Sequence, residues 1–251
     1  MEVIAVPVPE RSLPHPGPEE GARHGRLTAR PAANPVTVEP GTHRLDGQAL
    51  LYVPPFPQGG PSRLAVVLHG AGGTAGQALG WLSPHADAAG SLLLAPQSVA
   101  STWDVITGGY GPDVARLDAA LQEVFARTAI AAGHVAVAGF SDGGSYALSL
   151  GVANGDLFRA VLAFSPGFTA AMVHHGHPRF FVSHGTGDRV LPIDRCSRRL
   201  VPALRENGYQ VTYQEFEGGH EVPPQVVSTA VRWWTESPSA DDSQTPGVSD
   251  T

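Results

Sequence analysis

A serine between glycines is the most informative chemical feature of the sequence. Residues 139–144 read GFSDGG, directly after the apolar run HVAVA and before a helical segment predicted to begin near Ser145. So sharp a turn from strand to helix needs glycine at 139 and 143, because a Cβ there would meet neighbouring backbone. The N-terminus of the helix adds free N–H groups and a favourable dipole where negative charge would develop. Ser141 is therefore a candidate nucleophile, although a glycine-rich turn with an incidental serine fits the same letters.

A nucleophilic serine needs a base and an orienting acid, and the sequence offers both after later strands. Asp188 ends the segment SHGTGD beyond the predicted strand RFFVS, and His220 ends EGGH beyond the predicted strand VTYQEF. Both lie past the carboxyl ends of strands, where open α/β sheets place their active sites. Asp194 is a rival acid, but we expect it to cap the next helix. His184 is a rival base, but it breaks the order serine, acid, histidine, and each of these residues could also be an ordinary loop residue.

A glycine-rich loop upstream could complete such a site. Residues 68–73 read LHGAGG after the run RLAVV, so their backbone N–H groups can face the top of the serine. We expect the N–H groups of Ala71 and Asp142 to stabilise an oxyanion, each such donor being worth about 3–4 kcal/mol in a transition state. Gly72 is the alternative donor, since the sequence does not fix which amide points inward. A phosphate-binding loop is disfavoured, because a P-loop lysine and the spacing G-x-G-x-x-G are both missing.

Composition excludes several classes of protein. All 16 basic residues are arginine, so the chain offers neither a Schiff-base lysine nor a Walker-type lysine. The single cysteine, Cys196, cannot form an intrachain disulfide or a cysteine metal cage. The formal net charge of -7 argues against nucleic acid and anionic membrane surfaces as partners. Residues 174–177 read HHGH, but neighbouring histidines in one loop seldom converge on one ion, so we expect neither a metal nor an organic cofactor.

No targeting or membrane-spanning segment is predicted. The opening residues lack a basic region and an uninterrupted apolar run, and no stretch approaches the run of about 18 apolar residues that a membrane span needs. We therefore expect a cytoplasmic protein without integral membrane association. The sequence does not indicate the oligomeric state.

The length of 251 residues suits one compact domain, and composition divides the chain into three parts. Residues 1–40, rich in Pro, Gly, Arg and Glu, are predicted to form an arm or loose edge strands, and the polar residues 237–251 a disordered tail. In residues 41–236, apolar runs alternate with amphipathic segments, which predicts a doubly wound, mostly parallel α/β sheet with helices on both faces. The predicted strands are Ala49–Val53, Leu64–Leu68, Ser91–Ala95, His134–Ala138, Ala160–Phe164, Arg179–Ser183 and Gln210–Phe216. The predicted helices are Pro112–Ala129, Asp194–Asn207 (kinked or starting late because of Pro202) and a last helix opened by Pro223.

Four segments, LHGAGG, GFSDGG, SHGTGD and EFEGGHEVPP, resemble the α/β-hydrolase superfamily, and most specifically its phospholipase/carboxylesterase type of small serine esterases. The resemblance covers residues 48–234, and the stretch LLYVPP…LAVVLHGAGG is also similar to polyhydroxybutyrate depolymerases and feruloyl esterases. It implies that Ser141, Asp188 and His220 form a catalytic triad, with the two N–H groups named above as the oxyanion hole.

The resemblance also implies a substrate-binding surface. Trp103 resembles the W-x-D or W-D element that lines the acyl site in this family, and Gly72 and Phe168 are further candidates for substrate contact. Either aromatic ring could instead belong to the core. The connection from Ala160–Phe164 to Arg179–Ser183 is too short for a cap domain, so we expect an open site.

The predicted chemistry is hydrolysis of carboxylic esters with short or medium acyl groups through an acyl-enzyme on Ser141. In this hypothesis His220 removes the serine proton and Asp188 fixes the imidazole tautomer, and the substrate is a small-molecule or polymeric ester. Three alternatives stay open: a polyester depolymerase, an acyltransferase with the same triad, and a ligand-binding protein of this fold without catalysis.

Overall fold

Apolar runs of the sequence form an eight-stranded sheet in the computed structural model, which describes residues 21–32, 38–55 and 60–236. In space the strands follow the order β1-β2-β4-β3-β5-β6-β7-β8. They are β1 (Gly41–Arg44), β2 (Leu50–Val53), β3 (Ser62–Leu68), β4 (Leu92–Ala95), β5 (Ile130–Phe140), β6 (Ala160–Phe164), β7 (Arg179–Gly185) and β8 (Val211–Phe216). β2 runs antiparallel to both of its neighbours, whereas β3 to β8 are parallel. The carboxyl ends of β3 to β8 therefore meet at one edge of the sheet.

Helices cover both faces of the sheet and create two apolar cores. The helices are α1 (Ala75–Ala89), α2 (Asp104–Thr107), α3 (Pro112–Arg127), α4 (Asp142–Ala153), α5 (Ser197–Glu206) and α6 (Pro224–Glu236). Successive strand residues face opposite sides, so Val66 lies in the core under α3, α4 and α5 and Val67 in the core under α1 and α6. Every residue of β6 is buried, as expected of a parallel strand covered on both faces. The predicted doubly wound α/β fold is confirmed.

The boundaries differ from the prediction where packing overrides local sequence. The sequence patterns do not predict β1, whose residues GTHR lack an apolar run, nor α1. The helix after the serine begins at Asp142 rather than near Ser145. Pro202 lies inside α5, which starts late, at Ser197, after a 3-10 turn at Ile193–Arg195.

The connections and termini bear on three further expectations. Residues 165–178, between β6 and β7, form no helix or strand, so no cap domain is inserted there. Residues 237–251 and much of the predicted N-terminal arm lie outside the described residues. Among the described helices, none combines the length and apolar character of a membrane span.

Residues 21–32, which we call the N-terminal strap, pack against α3 and the end of α4. Leu27 of the strap is 1% exposed and belongs to the core beneath these helices. The side chain of Asn154, which follows α4, accepts the Leu27 N–H at 2.8 Å and donates to the Gly25 carbonyl at 2.7 Å. Asp118 of α3 accepts two more strap N–H groups, at 2.7 and 2.8 Å. Side chains thus supply the hydrogen bonds that a neighbouring strand would give this segment.

Replacing Asn154 by alanine is expected to lower the free energy of unfolding by about 2–4 kcal/mol, because two strap groups and the Leu150 carbonyl lose buried hydrogen bonds. Asn207→Ala is the matched control, since Asn207 also follows a helix and donates to the carbonyl four residues back, but it is exposed and distant from the strap in sequence. Urea unfolding of both variants measures the difference. Equal losses in the two variants would contradict the role of Asn154 in docking the strap.

Candidate active site

The turn between β5 and α4 holds Ser141 in a backbone conformation that residues with side chains seldom adopt. Its φ and ψ are 58° and -120°, and its N–H donates to the Phe164 carbonyl at 2.9 Å. A Cβ built on Gly139 would overlap the Gly143 carbonyl, and a Cβ on Gly143 would overlap the Leu68 carbonyl at the end of β3. The predicted need for glycine at both turn positions is confirmed, and the turn presents the serine at the carboxyl edge of the sheet.

A chain of two hydrogen bonds joins the residues predicted as nucleophile, base and acid. His220 Nε2 lies 2.8 Å from Ser141 Oγ, and His220 Nδ1 lies 2.6 Å from Asp188 Oδ2. Because an ionised carboxylate only accepts, we assign the proton to Nδ1, which leaves Nε2 to accept from the serine hydroxyl. The Phe140 ring packs on the imidazole with centroids 4.7 Å apart and restricts its rotation. This arrangement can remove a proton from the serine.

The Asp188 carboxylate is buried but surrounded by donors. Its Oδ1 accepts the N–H groups of Val190 and Leu191 at 2.9 and 2.8 Å, while Oδ2 faces His220. Burial pushes the pKa of Asp188 upward, but hydrogen bonds from His220 and from the two amides outweigh burial, so the pKa lies below its ordinary value. The carboxylate is therefore ionised at neutral pH and can stabilise a positive charge on the imidazole.

The two rival residues make other contacts. The Asp194 side chain is 76% exposed and forms an ion pair with an arginine of α5. His184 is fully buried, with Nδ1 2.7 Å from Ser197 Oγ and Nε2 2.8 Å from the Leu191 carbonyl oxygen. The structure thus brings His220, and not His184, to the serine hydroxyl.

The loop after β3 lies beside the nucleophile turn. A Cβ built on Gly70 would lie 3.4 Å from the Cβ of the candidate nucleophile. The Gly72 N–H donates to the Ser101 carbonyl at 2.6 Å, so the alternative that Gly72 supplies the oxyanion donor is wrong. The N–H groups of Ala71 and Asp142 have no acceptor among the described residues, which leaves both available to a bound ligand.

His69 and Gln97, to which the sequence analysis gives no role, fix this loop. The His69 Nδ1–H donates to the Gly70 carbonyl at 2.8 Å, and Nε2 accepts the Ser98 N–H at 3.2 Å and lies 3.2 Å from the Gln97 side-chain nitrogen. Burial lowers the pKa of His69, so the ring stays neutral and keeps this pattern. His69 directly follows β3, and Gln97 lies two residues after the end of the adjacent parallel strand β4. That shared position at the carboxyl edge of the sheet is the signal that could have paired them.

Trp103 supports the same loop from the interior. Its side chain is 1% exposed, its Nε1–H donates to the His69 carbonyl at 2.8 Å, and its ring centroid lies 4.6 Å from that of His69 and 5.1 Å from that of Tyr146. This differs from the expectation that Trp103 lines an open cleft, because the stacking and the hydrogen bond hold the indole beneath the loop. Phe168 is half-buried in the connection after β6, and its contact with substrate stays a prediction.

The histidine-rich segment 174–177 packs around an aromatic side chain. The rings of His174 and His177 lie 6.3 and 6.1 Å from the Tyr209 ring, and His174 Nδ1 lies 3.0 Å from the Tyr209 hydroxyl. A search of the described residues gives no cluster of three or more side chains able to hold a metal ion. These aromatic contacts, together with the backbone hydrogen bonds of His175, hold this segment in place.

The order of the strands, with antiparallel β2 near one side and a strained serine turn after β5, defines an α/β-hydrolase fold. The family model described as Phospholipase/Carboxylesterase matches residues 114–234. A ferulic acid esterase from Anaeromyces mucronatus, solved in complex with ferulic acid, is similar in structure with a TM-score of 0.54 and 14% sequence identity, over 76% of this chain and 88% of that chain. At this identity the structural likeness shows the fold alone.

Proteins of similar sequence indicate which kind of α/β-hydrolase this chain is. "Probable feruloyl esterase C" from Aspergillus oryzae is 30% identical over 200 residues, which cover 76% of this chain and 73% of that protein. "Probable feruloyl esterase C" from Aspergillus niger is 26% identical over 243 residues, which cover 83% of this chain and 88% of that protein. The chain belongs to the α/β-hydrolase esterases and is a carboxylic ester hydrolase.

Gly143→Ala is expected to lower ester hydrolysis by about 100-fold or more, because the added methyl group overlaps the Leu68 carbonyl and forces α4 away from the end of β3. Gly80→Ala is the control, since Gly80 is exposed in α1, a Cβ there meets nothing within 4 Å, and alanine favours a helix. The specificity constant for p-nitrophenyl acetate, with circular dichroism to monitor folding, gives the comparison. Full activity of Gly143→Ala would show that this close approach is not needed.

Trp103→Phe removes the hydrogen bond to the His69 carbonyl and retains an aromatic ring. We expect kcat to fall about tenfold with KM changed by less than about twofold, because the loop carrying Ala71 shifts while the cleft surface does not. Trp81→Phe is the control, since Trp81 packs edge-on against Phe164 and makes no hydrogen bond within the described part of the chain. Steady-state kinetics of both variants test this, and a change mainly in KM would instead place the indole against the substrate.

Proposed function

We propose that this esterase works through a serine nucleophile and an acyl-enzyme. His220 accepts the Ser141 proton as the oxygen attacks the ester carbonyl, and then gives that proton to the departing alcohol as its C–O bond breaks. Water attacks the acyl-enzyme with the same histidine as base, which releases the acid and restores the serine. The observation that carries the proposal is the pair of contacts at 2.8 and 2.6 Å that links Ser141 Oγ through His220 to Asp188.

Backbone N–H groups stabilise the negative charge of the proposed tetrahedral intermediate. The tetrahedral intermediate places negative charge on the former carbonyl oxygen, which the N–H groups of Ala71 and Asp142 would bind, each worth about 3–4 kcal/mol. Asp142 is the first residue of α4, so the positive end of the helix dipole adds to this field. The imidazolium formed on His220 is balanced by the ionised Asp188.

For the substrate, we propose carboxylic esters with short to medium acyl groups, including esters of arylpropenoic acids such as ferulic acid. The names of the similar proteins support the aromatic acyl group. The connection from β6 to β7 carries no cap, and the partly exposed Phe140 ring stands next to His220, so a flat acyl group attached to a bulky alcohol has access. The cytoplasmic location stays a prediction.

Ser141→Ala is expected to reduce ester hydrolysis by about 1,000-fold or more and to abolish covalent labelling by a fluorophosphonate, because no hydroxyl remains to attack. The matched control is Ser228→Ala, the same chemical change at an exposed position of α6, which should retain full activity and labelling. Purified proteins with unchanged thermal unfolding make the comparison valid. Substantial turnover by Ser141→Ala would refute the assignment.

A substrate panel tests the acyl specificity. We expect p-nitrophenyl acetate, p-nitrophenyl butyrate and methyl ferulate to be hydrolysed, and p-nitrophenyl palmitate to react at least about tenfold more slowly, because an open site does not enclose a long chain. A polyester film and an added alcohol acceptor, included in the same panel, report depolymerase and acyltransferase activity. Preference for palmitate over the short esters and methyl ferulate would contradict the proposed substrate class.

A further inference from the structure

His184 is a buried histidine that the proposed reaction does not use. It lies in β7 with no exposed surface, and its ring contacts groups from three parts of the chain. Nε2 lies 2.8 Å from the Leu191 carbonyl oxygen and 3.3 Å from Asp188 Oδ2, while Nδ1 lies 2.7 Å from Ser197 Oγ. One of these contacts reaches the acid of the proposed triad, at the carboxylate oxygen that also faces His220.

The partners fix the tautomer of His184. The Leu191 carbonyl oxygen and the Asp188 carboxylate can only accept, so Nε2 must carry a proton. Nε2 donates it to the Leu191 carbonyl at 2.8 Å, and Asp188 Oδ2 lies 3.3 Å from the same nitrogen. Nδ1 is then free to accept the Ser197 hydroxyl proton, which completes the hydrogen bonding of a neutral ring. Burial lowers the pKa of His184 and thereby favours this neutral state.

We propose that His184 is a positioning residue for the acid of the triad: its Nε2–H clamps Asp188 Oδ2 and the Leu191 carbonyl together, so that Oδ2 stays directed at His220. The inference rests on the proposed function. Asp188 Oδ2 is the same oxygen that faces His220 Nδ1 at 2.6 Å, so a rotation of the carboxylate would lengthen that contact. The Leu191 N–H donates to the other oxygen, Oδ1, at 2.8 Å, so the clamp holds the turn from both sides.

Two other ionisable groups near His184 are paired or uncharged. Glu215 is the neighbour of His184 in the register of β7 and β8, and its carboxylate is bound by Arg198 at 2.7 and 2.9 Å. Cys196 is buried nearby, and burial raises the pKa of its thiol, so it is uncharged at neutral pH. Asp188 is thus the charged group that His184 approaches directly, through Nε2.

The test compares His184→Leu, which fills the space without a donor, with His184→Gln, whose amide nitrogen can replace Nε2 as donor. We expect His184→Leu to lower kcat about 10- to 100-fold with KM within about twofold, and His184→Gln to recover at least half of that loss on a logarithmic scale. Titration of active sites with a fluorophosphonate expresses kcat per competent serine. A residue that only supports folding would change the number of competent sites and not kcat per site.

The pH profile provides a second readout. Loss of the Nε2–H donor makes Asp188 more basic, so Asp188 then stabilises the protonated form of His220 more strongly. The acid limb of kcat in His184→Leu should therefore move to higher pH by about 0.5 or more. An acid limb and a kcat per site equal to those of the unmodified enzyme would overturn the inference.

Two further results separate the possible failures. If His184→Leu does not fold, Ser197→Ala, which removes the donor to Nδ1, should move the acid limb in the same direction by a smaller amount, and an unmoved limb overturns the inference. If the unmodified enzyme is not labelled by the fluorophosphonate, the proposed function itself fails. Labelling together with an unaffected His184→Leu variant refutes the positioning role alone.

Discussion

A close contact between two backbone segments, at Gly143, sets the distance between the Ser141 turn and the loop after β3. The first turn of α4 approaches the end of β3 so closely that any side chain at Gly143 would overlap the Leu68 carbonyl. This approach places the loop after β3 beside Ser141, where a Cβ on Gly70 would lie 3.4 Å from the serine Cβ. The strained φ of 58° at the serine is tolerated because the hydrogen bond to the Phe164 carbonyl and the close glycine contacts hold the backbone of the turn in this conformation.

The second requirement of the site is a set of neutral rings that hold charged or polar groups in place. His69 keeps the loop after β3 in position, and Trp103 donates to the carbonyl of the same histidine. Around Asp188, His220 and His184 approach one carboxylate oxygen from two sides. A single buried negative charge thus orders two imidazoles, each through the nitrogen that carries its proton.

Local sequence predicted the parts of the site that depend on local backbone. The glycine spacing around Ser141 was sufficient for its turn, and the chain order of acid and base distinguished His220 from His184. The letters Trp103-Asp104 could not show which side of the loop the indole occupies, because that depends on the His69 carbonyl and on the Tyr146 ring of another helix. β1 was not predicted because its four residues form a strand only through pairing with β2, which the local sequence does not show.

The N-terminal strap has a consequence for how the chain acquires its structure. Leu27 is synthesised 127 residues before its hydrogen-bond partner Asn154, and Thr28 pairs with Asp118 across 90 residues. The N-terminal strap cannot dock before α3 and α4 have formed, so its docking belongs to the late, long-range steps that slow folding. The apolar core around Leu27 is therefore completed only when the two ends of this long-range contact meet.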